Sequence, residues 1–466
     1  MPELPEVEIV KRVVSPLIVG RTIQKIDILR EQTILGDAHI FKKTLENAKC
    51  LSLSRIGKFL MFHFDEDRVI ISHLRMEGKF YELLPDEKNT KYARVVFHLD
   101  NGHRLVFDDM RCFGIMKLAD RKTYLKEKEI AKLGPEPADV KDVKALYNKW
   151  KDKKVAIKTL LLSQEVVAGL GNIYVDEALF ASQIHPHTPA NFLKLADWKK
   201  IIANSVIILN AAIESGGSTI KSYHPGKGIN GNFQLSIQVY GKANESCPVC
   251  GKTLRKTVTN GRGTTFCPRC QIKRGSPLLV AITGEAASGK STVLNVFKKE
   301  GFATISSDDI VKELYKKEEV INEINKKLGT TFSGEVDKTE LRRLLSEDDK
   351  KKRTVEKIIH PLVKEEIIAW TQSVKEPLKV VEVPLLYESK MDNLFDYIIA
   401  TSSSKKEHLL KQRSPLSAEE IKKINLSNKF EEYKENVDFL LKNDSTIEDL
   451  ETDTIEIINR LISYLN

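Results

Sequence analysis

Apolar residues at Val7, Val10, Val13, Val14 and Leu17 recur at helical spacing and predict an amphipathic helix near the N-terminus, with Pro2 and Glu3 at its start. Between about residues 20 and 120 the period shortens to that of strands. Segments 93–99 and 103–107 flank Asp100-Asn101-Gly102, a strong hairpin turn, and 59–64 with 69–72 read as another pair. Short strands closed by turns predict a sandwich or flattened barrel. Leu133-Gly134-Pro135-Glu136-Pro137 reads as a linker, and helices are expected over 143–150, 157–162, 175–181 and 198–215. The Gly-, Ser- and Lys-rich stretch 216–238 reads as a mobile loop, and 257–265 as a hairpin turning at Asn260-Gly261. A new strand, 278–283, then opens a segment of α/β character.

Composition narrows the class. The 466 residues suffice for about three domains, with 41% hydrophobic and 30% charged residues. Apolar runs such as 206–209 are too short to span a bilayer, and no apolar core follows the acidic N-terminus. A cytoplasmic monomer without membrane partners is therefore expected. Residues 278–466 carry 30 Lys+Arg against 35 Asp+Glu, so of the overall +9 a net +14 falls on residues 1–277. A basic part followed by a mildly acidic one suggests two partners, with nucleic acid natural for the first.

Candidate chemistry begins at the N-terminus. Removal of Met1, which the small Pro2 permits, leaves a secondary amine carried on the backbone. An α-amino group titrates near ~8, about two units below lysine, so much of it is unprotonated near neutrality. Such an amine can attack an electrophilic sugar carbon and form an iminium. Glu3 and Glu6 bracket it, and the positive end of the helix dipole disfavours ammonium there while favouring carboxylate. The same residues also serve as ordinary helix punctuation. Cys247-x₂-Cys250-x₁₆-Cys267-x₂-Cys270 is a clearer signal, since two knuckles of paired thiolates make a closed tetrahedral zinc site. A redox dithiol is the alternative; Cys50 and Cys112 stand alone.

Pro2-Glu3-Leu4-Pro5-Glu6-Val7-Glu8, His73-Leu74-Arg75-Met76-Glu77-Gly78-Lys79, Gly169-Leu170-Gly171-Asn172-Ile173-Tyr174 and the four-cysteine finger occur in order. Over about residues 1–275 the chain resembles formamidopyrimidine-DNA glycosylase. The related endonuclease VIII branch usually begins Pro-Glu-Gly-Pro, so the oxidised-purine branch is favoured. The resemblance implies removal of oxidised purines from damaged double-stranded DNA and strand nicking. It makes Pro2 the nucleophile, Glu3 the acid/base and Lys58 a catalytic-site lysine contacting phosphate near the scissile sugar. It places Glu6, Met76, Arg111, Phe113, Asn172 and Arg262 at the DNA. Everting a purine costs a few kcal/mol. Met76 and Phe113 would wedge into the gap, and the Arg111 guanidinium would meet the orphaned base. A helix-two-turn-helix would let backbone amides and Asn172 hold a phosphate. Arg262 would lie on the target phosphate, positioning rather than reading sequence. The loop equivalent to 216–238 closes over the everted base in that family.

After strand 278–283 comes Gly284-Glu285-Ala286-Ala287-Ser288-Gly289-Lys290-Ser291-Thr292, a phosphate-binding loop between a strand and a helix. Backbone amides would cradle phosphates, Lys290 bridge the outer two, and Ser291 hold Mg²⁺ of Mg·ATP. Residues 278–466 resemble dephospho-CoA kinase through Ile305-Ser306-Ser307-Asp308-Asp309-Ile310, Ile359-His360-Pro361-Leu362 and Val383-Pro384-Leu385-Leu386-Tyr387-Glu388. The resemblance implies phosphorylation of the ribose 3′-hydroxyl of dephospho-CoA by ATP, with Asp308 as base. Departures from the family pattern are Ser306 for a usual Asp, Glu285-Ala286-Ala287 for Gly-Ile-Gly, and Leu409 for a usual arginine. Arg413 is then the main lid cation at the ATP site. Lys429-Phe430-Glu431-Glu432 replaces a later arginine pair.

The expected organisation is multidomain: a β-sandwich catalytic domain (1–132), a helix-two-turn-helix domain (133–240), a zinc finger (241–277), and an α/β P-loop kinase domain with a parallel sheet (278–466). The expected function is a glycosylase/AP lyase fused to a dephospho-CoA kinase, with one structural Zn²⁺. The alternatives are a kinase half acting as a weak or inactive nucleotide-binding scaffold, or a DNA-lesion binding module.

Overall fold

The computed structural model describes residues 1–217, 233–275, 277–405 and 430–465. The chain divides into two compact units. One comprises Met1–Val249 with Lys256–Gln271, and the other Cys250–Arg255 with Ile272–Asn466.

The first unit opens with the helix Leu4–Ile18. Glu3 and Glu6 form a reciprocal capping box, with the Glu3 N–H donating to Glu6 Oε2 at 2.8 Å. Val7, Val10, Val14 and Ile18 bury one stripe in a core built from two antiparallel sheets, whereas Leu4 enters a second core built from helices. The residues just before Leu4 are thereby held where the two cores meet.

Eight strands make those sheets: β1 (Ile23–Ile28), β2 (Cys50–Ile56), β3 (Phe59–Phe64), β4 (Arg68–His73), β5 (Lys79–Leu83), β6 (Ala93–Leu99), β7 (Arg104–Asp108) and β8 (Ile115–Asp120). Their order is β1-β6-β7-β5 in one sheet and β2-β3-β4-β8 in the other. Both expected strand pairs form: β6 with β7, and β3 with β4. Phe107 is fully buried in the shared core. A side chain added at Gly78 or at Gly114 would collide with its ring, so the connections 74–78 and 109–114 both rest on this one aromatic.

The helical part follows at Val143–Trp150, Ile157–Leu162, Asn172–Ala181 and Leu195–Glu214. The third helix begins three residues before its expected start of 175, because Gly171 serves as its cap. Strands β9 (Arg255–Thr259) and β10 (Arg262–Phe266) form the hairpin between the cysteine pairs. Much of the expected mobile loop, 218–232, lies outside the described residues.

In the second unit, β11 (Leu278–Gly284), β12 (Ala303–Ser306), β13 (Leu378–Glu382), β14 (Tyr397–Ser402) and β15 (Phe439–Lys442) form a fully parallel sheet of order β12-β13-β11-β14-β15. Both faces are covered: Leu278, Val280 and Ile282 enter one core, and Ala281, Ile398 and Ala400 the other. The phosphate-binding loop leaves the carboxyl end of the central strand, where open parallel sheets place their ligands. No helix among the described residues is long and apolar enough to cross a membrane.

Because two loops lean on it, Phe107→Ala should cost about 3–5 kcal/mol of unfolding free energy in the first unit. A denaturant titration showing a loss below about 1 kcal/mol would remove Phe107 as their common support.

Candidate active sites and zinc centre

The buried carboxylate of Glu3 is the focus of the first unit. It accepts hydrogen bonds from the backbone N–H of Gly171 (2.6 Å), Ile173 (3.0 Å) and Tyr174 (3.4 Å) at the start of the Asn172–Ala181 helix. These amides thus hold a side chain from the N-terminal end of the first unit. A Cβ on Gly171 would fall inside the carboxylate, and one at Gly169, where φ is +99°, would overlap Leu4. Gln164 braces the turn, accepting from Gly169 N–H at 3.0 Å and donating to the Leu170 carbonyl at 2.6 Å. Glu6 accepts from the Tyr174 hydroxyl at 2.6 Å.

Lys58, also buried, donates to the Leu170 carbonyl at 2.9 Å. Burial raises the Glu3 pKa, and the nearby Lys58 charge opposes that rise. Burial likewise depresses the Lys58 pKa against the pull of Glu3 and Glu6. Pro2 is buried beside this group, and Met1 before it is 43% exposed.

Asn172 donates to the Gly263 carbonyl near the start of β10 at 2.9 Å, and its Oδ1 is buried without a partner. Arg262 is exposed beside Gly263, and its charge adds to the depression of the Lys58 and Lys158 pKa values. Pro2, Glu3, Glu6, Lys58, Asn172 and Arg262 therefore converge on one region. Met76 and the pair Arg111 and Phe113 lie on the two loops supported by Phe107. Met76 is half-buried, Phe113 is 53% exposed, and the Arg111 guanidinium lies 5.1 Å from the Phe113 ring centroid. Asp109 shapes this loop by accepting from Arg111 N–H at 3.0 Å and Gly114 N–H at 2.6 Å.

Two further acids on the Asn172–Ala181 helix escaped sequence reasoning. Asp176 forms a fully buried ion pair with Lys158 at 2.7 Å and accepts from Thr265 N–H at 3.1 Å, while Lys158 donates to the Gly263 carbonyl at 3.1 Å. Burial pushes the Asp176 pKa up to about 6. Glu177 accepts from Gln238, Val239 and Tyr240 N–H at 2.8–2.9 Å. A lysine inside the apolar run Ile157–Leu162 was the available signal for a buried pair.

The sulfurs of Cys247, Cys250, Cys267 and Cys270 lie within 4.8 Å of one another, and Cys247 and Cys267 are buried. Four thiolates leave no open position, so this donor set fits a structural zinc rather than a catalytic one. Gln271 fixes the second knuckle, accepting from Cys267 N–H and donating to the Ile184 carbonyl, each at 2.9 Å.

In the second unit the phosphate-binding loop is tightly built. Gly284 lies against the Thr401 backbone, Gly289 has φ +100°, and Ala287 adopts φ +58° despite its side chain. The Glu285 carboxylate accepts from Ser403 N–H at 3.1 Å, and Ser288 Oγ donates to the Glu285 carbonyl at 2.7 Å. Lys290 donates to the carbonyls of Glu285 (2.6 Å) and Gly284 (3.3 Å), and Thr292 lies in the first turn of the Lys290–Lys299 helix.

Ser291 Oγ meets Glu382 Oε1 at 3.3 Å. Glu382 ends β13; burial raises its pKa, Lys290 lowers it, and Asp308 and Asp309 raise it further. This acid at the end of a buried parallel strand was overlooked. Ser306 caps the Ser307–Leu314 helix by accepting from Asp308 N–H at 3.3 Å, which gives the departure from the usual Asp a local role. Asp308 is exposed and lines a cleft of about 220 Å³ with Lys352, His360, Val383, Pro384 and Met391. Leu409, Arg413 and Lys429 lie outside the described residues.

Comparison with known proteins agrees with both halves of this geometry. The model for the formamidopyrimidine-DNA glycosylase N-terminal domain matches residues 1–116, that for its H2TH domain 133–224, and that for the zinc finger found in FPG and IleRS 244–272. The dephospho-CoA kinase model matches residues 278–449. Formamidopyrimidine-DNA glycosylase of Lactobacillus gasseri is 42% identical over 273 residues, which are 58% of this chain and 99% of that one; the Bacillus cereus protein is 42% identical over 274.

Solved structures agree as well. The Lactococcus lactis Fpg complex with DNA containing an abasic site aligns at TM-score 0.55 and 38% identity, covering 58% of this chain and all of that one. The G226P variant of that enzyme with Fapy-dG DNA aligns at 0.56 and 38%, with the same coverage. The chain belongs to the formamidopyrimidine-DNA glycosylase family, and it carries a dephospho-CoA kinase domain after the structural zinc finger.

Gly171→Ala should push the Glu3 carboxylate from its three amides and slow base excision on the order of 10²-fold, since misplacement by about 1 Å has that cost. Single-turnover excision at the wild-type rate would show the contact to be dispensable. One zinc should copurify per chain, and Cys267→Ser should lose it together with tight DNA binding. Metal analysis finding none in a protein that binds DNA normally would refute the structural role.

Proposed function

We propose that the first unit excises oxidised purines, including 8-oxoguanine and formamidopyrimidines, from double-stranded DNA and then cleaves the strand. The second unit phosphorylates dephospho-CoA with ATP, the last step of coenzyme A biosynthesis. The chain is then a bifunctional enzyme with a β-sandwich domain (1–132), a helix-two-turn-helix domain (133–240), a zinc finger (241–277) and a kinase domain (278–466). The observation that carries the first activity is the seating of the buried Glu3 carboxylate on the Gly171, Ile173 and Tyr174 amides, directly after Pro2, with Lys58 held on the adjacent Leu170 carbonyl.

After Met1 is removed, the Pro2 nitrogen attacks the sugar C1′ and gives up its proton as the base departs protonated; the C1′–O4′ bond then breaks, O4′ leaving as a hydroxyl, and the iminium so formed links protein to DNA. Loss of a 2′ proton expels the 3′ phosphate, and a second elimination expels the 5′ phosphate. Glu3, held beside the amine with a raised pKa, exchanges the protons. Lys58 and Arg262 supply positive charge for phosphate, and Asn172 sits between helix and hairpin to keep Arg262 placed. Met76 and Phe113 fill the space left by the everted base, with Arg111 facing its partner. The complexes of the Lactococcus lactis relative with abasic and Fapy-dG DNA support this assignment.

For the kinase, the 284–292 loop cradles the ATP phosphates, and Ser291 with Glu382 is suited to a Mg²⁺ ion that would neutralise phosphate charge. Asp308 takes the proton of the 3′-hydroxyl of an acceptor held in the cleft it lines. Arg413 is the proposed lid cation for the transferring phosphoryl group.

Full-length protein assayed on an 8-oxoguanine duplex should give a borohydride-trapped adduct through Pro2. Pro2→Gly should sharply reduce strand cleavage, and Glu3→Gln should lose excision while retaining lesion binding. Trapping that persists in Pro2→Gly and maps to a lysine would sink the nucleophile assignment. With ATP and dephospho-CoA, turnover should be slow, since an arginine-poor lid lacks charge worth about 10³-fold or more in related systems. Lys290→Ala should abolish ATP binding, and Asp308→Asn should abolish product with ATP binding retained. Equal activity in Asp308→Asn would mean another base.

A further inference from the structure

The segment Cys250–Arg255 belongs to the same compact unit as the parallel sheet, and its two cations are spent there. Arg255 is 9% exposed and donates through Nη2 to the Asn436 carbonyl at 2.7 Å and to Asp438 Oδ2 at 3.3 Å, an aspartate that is itself 9% exposed. Lys252 donates through Nζ to the carbonyls of Val437, at 2.6 Å, and Glu435. Three successive carbonyls at the end of the helical turn Lys434–Asn436, followed by a buried carboxylate, thus take their donors from residues far away in sequence. Cations suit such an end, where the carbonyls point outward.

What these carbonyls precede matters to the nucleotide site. The Asp438 carboxylate accepts from Ile398 N–H at 2.8 Å, and Asp438 N–H donates to the Ile398 carbonyl at 2.9 Å, setting the register of β14 against β15. β15 is a four-residue edge strand. It delivers Asn443, whose Nδ2 donates to the Ser288 carbonyl at 3.2 Å and lies against Gly289. β14 delivers Thr401 behind Gly284, and Ser403 N–H to Glu285. We infer that Arg255, with Lys252 beside it, is a positioning residue of the kinase: it holds the β14–β15 edge in the register that backs the phosphate-binding loop. The kinase fold is therefore completed by a segment that precedes it in the chain. The inference rests on the kinase reading only for its effect on ATP.

Asp438 is faced by Arg255 and Lys252 as cations and by the Tyr387 and Tyr397 hydroxyls. Burial raises its pKa above the unfolded value and Arg255 opposes the rise. A carboxyl so raised contributes stability present below its unfolded pKa and lost as pH rises through the folded pKa. Removing Arg255 should deepen that loss.

The test is hydrogen exchange, corrected for intrinsic rates, on the full chain at one pH near the ordinary carboxylate range and one well above it, beside ATP titration. Arg255→Met should lose about tenfold or more of the protection of β14 and β15 amides, more at the higher pH, while β12 and β13 keep theirs. ATP should bind correspondingly more weakly. Arg255→Lys should recover part of this. Arg255→Met with Asp438→Asn should recover more and remove the pH dependence, because no unpaired charge is left buried. Glycosylase activity should be unchanged in Asp438→Asn. Unaltered β14–β15 protection in Arg255→Met overturns the inference, as does a double variant worse than Arg255→Met at both pH values. A wild-type chain that binds no ATP would defeat the kinase reading, and the exchange pattern would still decide the role of Arg255.

Discussion

A carboxylate seated on the first amides of a helix organises the glycosylase unit. The start of any helix leaves N–H groups without intrahelical partners, and those of the Asn172–Ala181 helix are met by Glu3, 168 to 171 residues earlier in the chain. The contact is also electrostatically favourable, because the positive end of the helix dipole faces a buried acid. Leu4 N–H adds a bond to the Gly169 carbonyl at 3.1 Å, so the backbone is tied at the same place. With Leu4 in the helical core and Val7 onward in the sheet core, the N-terminal residues cannot shift without disturbing both.

The far side of that helix anchors the β9–β10 hairpin. Asp176 and Glu177 are consecutive, so they point to different neighbours: one to Lys158 and Thr265, the other to the amides of 238–240. A buried ion pair is not by itself a strong source of stability, since desolvation offsets the attraction. Its value here is geometric, because the Lys158 Nζ also holds the Gly263 carbonyl next to Arg262. One ten-residue helix thus relates Glu3 at its start to the finger arginine.

Local pattern made most elements legible. β3, β6 and the helices Val143–Trp150 and Ile157–Leu162 fall at the expected residues, because periodicity and turn chemistry are local properties. The early start of the Asn172–Ala181 helix was not legible, since the first N–H groups after its cap Gly171 are met by Glu3 from far away in the sequence. Glu382 and the Lys158–Asp176 pair were missed for a related reason: a charge in an apolar run signals burial but does not name its partner. The motif residues of both halves were recognisable as blocks. That Met76 and Phe113 would share support from Phe107 depended on two glycines whose closeness is visible only in three dimensions.

The burial of Pro2 carries a practical consequence for anyone preparing the protein. Met1 is 43% exposed while Pro2 and Glu3 behind it are buried, so an extension ahead of Met1 would run into solvent and leave the packing intact. An affinity tag fused at the amino end would leave a folded molecule whose Pro2 nitrogen, the proposed nucleophile, is locked in an amide. If Pro2 is the nucleophile proposed above, such a preparation would look native while lacking its reactive amine. Purification handles therefore belong at the other end of the chain, beyond the Ile447–Leu465 helix.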